Sequence, residues 1–214
     1  MTCAIKIAEA RPDLKVTVIS KTAKEESNTR YAQGGVAAVW NEETDTQEKH
    51  IADTLDAGDG LCDEEVVRMV VKEGPVRVRE LIGWGARFDK EHDGDYDLGR
   101  EGGHSENRIL HYKDVTGREI QRTIIDKAAQ LPNIQVLENL FAIDLLTQHH
   151  LGYNITRLTP GIECYGVYAL DKNNLDVENI STDVLNGMNE IAIAVNSITE
   201  VMNKVNNSSS LLEN

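Results

Sequence analysis

The order of elements in residues 1–35 constrains the fold more than any other feature. Residues 3–10 carry Ala4, Ile5, Ile7 and Ala8 on a helix-like face, and Pro12 stops the helix. The apolar run at residues 15–20 then reads as a buried strand. A helix feeding a strand in this way is the second half of a β-α-β dinucleotide fold, so the class is α/β with mixed α+β character. The strand is followed by Ser27-Asn28-Thr29-Arg30-Tyr31-Ala32-Gln33-Gly34-Gly35. Polar groups and then paired glycines are one way to bring a backbone close to a flat or phosphate-bearing ligand. An ordinary turn into Val36-Ala37-Ala38-Val39 explains the same composition.

Charge narrows the function classes. With 36 acidic and 22 basic residues the net charge is -14, which opposes binding to nucleic acid or anionic membrane. The uninterrupted apolar runs are far shorter than a membrane span, and Glu9, Arg11 and Asp13 interrupt any leader-like segment. Cys3, Cys62 and Cys164 are odd in number and widely spaced, which reads as reduced thiols in a cytoplasmic protein rather than a disulfide framework or zinc site. His149-His150 reads as a solvated turn before Leu151-Gly152, and no metal site is expected.

Further along, residues 46–83 read as mostly helical, with Asp63-Glu64-Glu65 starting a helix. Residues 88–99 read as an acidic loop, and residues 109–111 as extended. Thr116-Gly117-Arg118 opens a helix through Ala129 that carries Ile120, Ile124, Ile125 and Ala128 on one face. Residues 133–138, 141–146 and 161–170 read as strands, and residues 171–174 as a turn. The second chemistry-bearing stretch, Arg100-Glu101-Gly102-Gly103-His104-Ser105, packs a carboxylate, two glycines, an imidazole and a hydroxyl into six residues. Such a loop suits a small polar substrate. Taken singly, its charges read as solvated and His104 as a cap. Arg118 stands at a helix start, where the dipole does not favour a cation.

The ordered strings carry more than their composition. Ser20-Lys21, Ser27-Asn28-Thr29 and Tyr31-Ala32-Gln33-Gly34-Gly35 resemble the FAD-contacting segment of the succinate dehydrogenase and fumarate reductase flavoproteins. Arg100 to Ser105, Arg108-Ile109-Leu110-His111, Asp114 and Thr116-Gly117-Arg118 resemble the signature of that family's L-aspartate oxidase branch. The resemblance covers about residues 3–178. It implies a partial Rossmann-like FAD-binding domain that lacks its first strand and glycine turn. Lys21 would lie near the adenosine side, and Asn28, Thr29, Arg30, Tyr31, Ala32, Gln33, Gly34 and Gly35 along the flavin. The dehydrogenases carry covalent flavin on a histidine where this chain has Asn28, which implies non-covalent FAD. Glu101 would meet the substrate ammonium, with His104 and Ser105 facing the substrate or the flavin edge. His50, Asp53, Cys62, Trp84 and Phe88 follow the family pattern as structural residues.

The implied reaction is oxidation of L-aspartate to iminoaspartate, with dioxygen or fumarate as acceptor. It feeds quinolinate synthase and NAD biosynthesis. The family's general-base arginine and main carboxylate ligands lie outside the resembling span, so no catalytic residue is assigned here. The chain is expected to be inactive alone and to hold FAD poorly. An alternative is a binding or regulatory fragment.

Residues 179–214 do not continue the resemblance. Val184, Met188, Ile191, Val195, Ile198, Met202 and Val205 form a heptad seam, an amphipathic helix weakly similar to chemotaxis-receptor helices. The expected organisation is a partial FAD-binding domain at 1–178 and a helical tail at 179–214. The tail would serve self-association or signalling through residues 184–205.

Overall fold

A computed structural model describes residues 1–181. In chain order the described elements are α1 (Thr2–Ala10), β1 (Val16–Ile19), α2 (Asn28–Tyr31), β2 (Val36–Ala37), α3 (Gln47–Ala57), α4 (Glu64–Gly83), β3 (Leu98–Gly99), β4 (Ile109–Leu110), α5 (Thr116–Ala129), β5 (Ile134–Leu137), β6 (Leu140–Thr147), β7 (Cys164–Asp171) and β8 (Val177–Ser181). A 3-10 turn spans Gln148–Leu151. Helices and sheets are both present, as the α/β class requires. The chain divides into two compact units, residues 1–18 with 24–135, and residues 19–23 with 136 onward.

In the first unit, α1 ends without a glycine cap, and Asn133 supplies the missing partners. Its side-chain amide donates to the carbonyls of Ala8 (3.1 Å), Arg11 (3.4 Å) and Leu14 (3.1 Å). That fastens α1 to the start of β5, the strand paired with β1. Val16 N donates to Asn133 O, and in the second unit Ser20 N donates to Leu137 O. Both partners advance by four, which is the parallel sense expected of a β-α-β fold.

A three-stranded antiparallel sheet, ordered β2-β4-β3, carries the main core. Leu110 of β4 packs with Ala38, Ala86, Phe88 and Val78 of α4, surrounded by Trp40, Leu81, Ile82 and Tyr96. Asp63 caps α4 by accepting from the amides of Glu65 (3.1 Å) and Val66 (3.2 Å), as its position implied. Val66, Met69, Val70 and Val76 of the same helix are nevertheless half exposed, so its apolar run is not wholly core. The loop expected at 88–99 ends in β3 and contains a Lys90–Tyr96 bridge.

Helix α5 holds a buried ion cluster. Glu119, 4% exposed, accepts from Arg87 Nε at 3.0 Å and Nη2 at 3.1 Å, and from Arg122 Nε at 2.9 Å and Nη2 at 2.7 Å. The Arg87 amide donates to the same carboxylate at 3.0 Å.

The second unit is an antiparallel meander, β6-β7-β8. Leu140, Leu146, Tyr168 and Ala169 are buried, while Phe141, Ile143 and Leu145 project outward. The strand expected at 161–170 begins three residues later, and the turn after it extends to Asp176, with Leu175 at φ 64°. Strand β8 carries ordered pairing past residue 178, Asn179 opposite Tyr168 and Ile180 opposite Val167, so the expected boundary falls inside a strand. The heptad seam at 184–205 lies outside the described residues. Among the described residues no helix is long and apolar enough to cross a membrane.

Candidate functional site

The short helix α2 organises the first stretch. Ser27 caps it, its Oγ accepting from Arg30 N at 3.3 Å, so this hydroxyl is committed to structure. Helix α5 backs it closely. Gly117 N donates to Ala32 O at 3.0 Å, and a Cβ at Gly117 would fall 2.8 Å from Ala32 O and well inside contact with Thr29 O. Asn28, Thr29, Tyr31, Ala32, Gln33 and Gly34 are exposed. Tyr31 OH donates to Glu26 at 2.7 Å. The side chains of Asn28, Thr29 and Gln33 make no hydrogen bond among the described residues. An amide, a hydroxyl and a second amide stand open along one exposed segment, a donor and acceptor set suited to a polar ring system such as flavin.

The glycine pair works differently from the sequence expectation. A Cβ on Gly35 would run into Ile109 Cγ2 and lie 2.5 Å from Leu110 O, so strand β4 is what excludes a side chain there. Gly34 faces Glu101, whose Oε1 would lie 3.2 Å from an added Cβ. At residue 35 the close approach is to strand β4, to the Ile109 side chain and the Leu110 carbonyl.

The two stretches singled out from sequence do meet. Gly35 N donates to Glu101 Oε1 at 3.3 Å. Glu101 is exposed, and its Oε2 has no hydrogen bond among the described residues. The 100–105 loop turns at Gly103, whose φ of +84° favours glycine, with His104 N donating to Glu101 O at 3.2 Å.

Behind that loop lies a buried cluster that sequence reasoning only partly anticipated. Arg108 is fully buried. Its Nε and Nη2 donate to the two oxygens of Asp45, each at 2.8 Å. Its Nη1 reaches Asp53 Oδ2 and, at 3.1 Å, His104 Nδ1. Ser105 N and Oγ donate to Asp53 Oδ2 at 2.8 and 2.9 Å. Ser105, expected to face the ligand, is therefore tied to α3. Burial pushes the Asp53 carboxyl up, but the Ser105 amide, the Arg108 guanidinium and the Ser105 hydroxyl outweigh it and hold the pKa at about 2. His50 is held below its usual range by burial first, then by Arg108 and His104, against the opposing pull of Asp45 and Asp53. Its buried Nδ1 has no partner among the described residues. Asp45 was missed because, placed just before the cap residue Thr46, it reads as a capping residue. It does accept from Thr46 N, at 2.8 Å.

Arg118, which the helix dipole does not support, has no ion pair among the described residues. It lines two cavities with Arg30, one of about 440 Å³ that also includes Arg87, Lys113 and Arg122. Lys21 lies in the second unit, where its carbonyl accepts from Lys172 Nζ at 3.0 Å.

Asp144, His149 and His150 of the second unit gather three metal-type ligands. His150 Nδ1 accepts from Thr147 N at 3.4 Å. A neutral imidazole has one lone pair, so in this arrangement Nε2 carries the proton and faces Asp144 at 3.5 Å. The cluster caps the 3-10 turn and offers no free His150 lone pair to a metal.

Residues 1–200 match the FAD binding domain family. The chloroplastic L-aspartate oxidase of Arabidopsis thaliana is 50% identical over 167 residues, covering 78% of this chain and 24% of that protein. L-aspartate oxidase 1 of Ralstonia nicotianae is 41% identical over 182 residues, covering 84% and 32%. The chain thus spans about a quarter to a third of these relatives. Among solved structures, a quinol-fumarate reductase with menaquinol molecules aligns with TM-score 0.71 at 30% identity, over 83% of this chain and 29% of that one. Mycobacterium smegmatis Sdh1 in complex with UQ1 aligns with TM-score 0.65 at 28% identity, over 78% and 28%. The match over residues 1–200, with the similarity to these oxidases over more than three quarters of the chain, places it in the FAD binding domain family, among flavoproteins similar to the L-aspartate oxidases.

Proposed function

We propose that this chain forms part of the flavin and substrate site of an L-aspartate oxidase, which takes L-aspartate to iminoaspartate. FAD, the family's cofactor, when bound accepts the hydride that leaves the substrate α-carbon. The reading rests on one observation. Glu101 is seated by the Gly35 amide directly beside the exposed 28–34 segment, and its second oxygen remains open. Asn28 stands where covalent flavin would need histidine, which supports flavin held without a bond. In this reading Asn28, Thr29 and Gln33 orient the flavin by hydrogen bonds. Gly35 N–H fixes the Glu101 carboxylate, and Glu101 Oε2 receives an N–H of the substrate ammonium. A carboxylate meeting an ammonium is a charge-assisted hydrogen bond, which selects amino over hydroxy or unsubstituted dicarboxylates. Dioxygen or fumarate serves as acceptor, and the product passes to quinolinate formation.

The test uses a full-length relative with the same loop. Glu101→Gln keeps shape and loses charge, so kcat/KM for aspartate oxidation should fall about tenfold to hundredfold. Fumarate reduction by the same variant should change little. Equal losses in both would mean that Glu101 supports the loop and does not read the amino group.

A further inference from the structure

We propose that Arg108 is a positioning residue that fixes the tautomer of His104, leaving the ring proton on Nε2 as a donor to a carboxylate of the bound substrate. The assignment deepens the reading that loop 100–105 faces the substrate, and it rests on that reading for the ligand alone.

A guanidinium has five N–H groups and no acceptor. Arg108 is fully buried, so each needs a partner. Nε–H goes to Asp45 Oδ2 at 2.8 Å. The two Nη2 hydrogens go to Asp45 Oδ1 at 2.8 Å and Ser105 Oγ at 3.4 Å. One Nη1 hydrogen goes to Asp53 Oδ2. The fifth is left for His104 Nδ1, at 3.1 Å. All five donors are used once each, and His104 Nδ1 is the acceptor that closes the set.

The consequence for His104 follows from its own inventory. A neutral imidazole carries one proton and one lone pair. With the lone pair of Nδ1 pointed at Arg108, the proton sits on Nε2. The opposite tautomer would set two N–H groups against each other and leave a buried Arg108 donor unsatisfied. The guanidinium cannot swing away to permit it, because Asp45 grips its other edge with two parallel bonds. Asp45 and Asp53 thus act on the ligand at a distance, by holding the plane of Arg108.

Two measurements test the proposal. The first needs no activity. In the chain labelled with ¹⁵N at histidine and arginine, long-range ¹H–¹⁵N correlation at neutral pH should show His104 with an unprotonated Nδ1 and a protonated Nε2. It should also show a scalar coupling across the hydrogen bond from Arg108 Nη1 to His104 Nδ1. The urea-unfolded chain, where the tautomers exchange, gives the reference. A protonated Nδ1, or averaging in the folded state like that in urea, would overturn the lock. The second measurement uses a full-length relative with the same loop. His104→Gln places a donor near the Nε2 position, and His104→Asn near the Nδ1 position. The Gln variant should keep KM for aspartate within about threefold, and the Asn variant should raise it about tenfold or more with kcat little changed. Unchanged KM in both variants would overturn the donor role while the spectrum still stands. Failure of the aspartate oxidase reading would show separately, in the Glu101→Gln comparison.

Discussion

Replacing Glu119 by Gln tests whether the ion cluster on α5 is an electrostatic device or only good packing. Burial pushes the Glu119 carboxyl up. Hydrogen bonds from Arg122, then Arg87 and its amide, overcome this and bring the pKa from an ordinary 4.5 to about 2. At about 1.36 kcal/mol per pH unit, the folded state favours the ionised form by roughly 3 kcal/mol. Arg87, 62% exposed, is screened by solvent, so about 2 to 3 kcal/mol is the working figure. Because the folded pKa is depressed, this stabilisation is full above pH 4.5 and is lost as pH falls toward 2. Gln has no charge to lose. The difference between the two proteins should therefore be about 2 to 3 kcal/mol at pH 7, roughly half that at pH 3, and small at pH 2. Trp40 and Trp84, the chain's only tryptophans, both lie in the first unit with Glu119, so urea unfolding followed by their fluorescence reports on the right part. The urea midpoint should drop about 1 to 2 M at neutral pH. A deficit of the same size at pH 7 and pH 3 would show that shape, not charge, sets the cost.

Gly117→Ala in α5 should lower stability by well over the ~1 kcal/mol that the same change normally adds inside a helix, since the new methyl overlaps Thr29 and Ala32; a raised urea midpoint would contradict the contact. Asp63→Ala should cost about 1 kcal/mol by removing the cap of α4, whereas Asp63→Asn should cost less, as thermal or urea unfolding would report. Asn133→Ala should loosen the end of α1, seen as faster amide exchange at Arg11 and Leu14, because the side chain that holds three carbonyls is gone; unchanged exchange would remove Asn133 as the fastener.

Regular elements were legible where one local rule governed them. The Pro12 stop, the Asp63 cap and the α5 periodicity gave α1, α4 and α5 nearly to the residue. Helix α2 was not foreseen, because Asn28, Thr29 and Tyr31 are weak helix formers and the turn is sustained by the Ser27 cap, the Tyr31–Glu26 hydrogen bond and the α5 contact. Strand β8 was hidden by a composition change near residue 178, while its pairing with β7 is decided by tertiary contact. Whole motifs marked the two stretches that hold Glu101 and Gly35, but their contact was not foreseen, since 66 residues separate them and no local rule joins them. Asp45 could not be found at all by local reading. Its partner lies 63 residues away, and beside Thr46 it looks like any capping carboxylate.

Residue 35 has a practical bearing on redesign. Its lack of a side chain is dictated by β4 behind it, where Ile109 and Leu110 stand in the way, and residue 117 is held to glycine by the backbone of α2 in the same fashion. If Asn28, Thr29 and Gln33 orient the flavin as proposed, they are the positions to vary for altered cofactor preference, since their exposed side chains make no hydrogen bond among the described residues. A library that randomised the glycines as well would spend most of its members on proteins that no longer assemble, and their loss of binding would be misread as lost recognition.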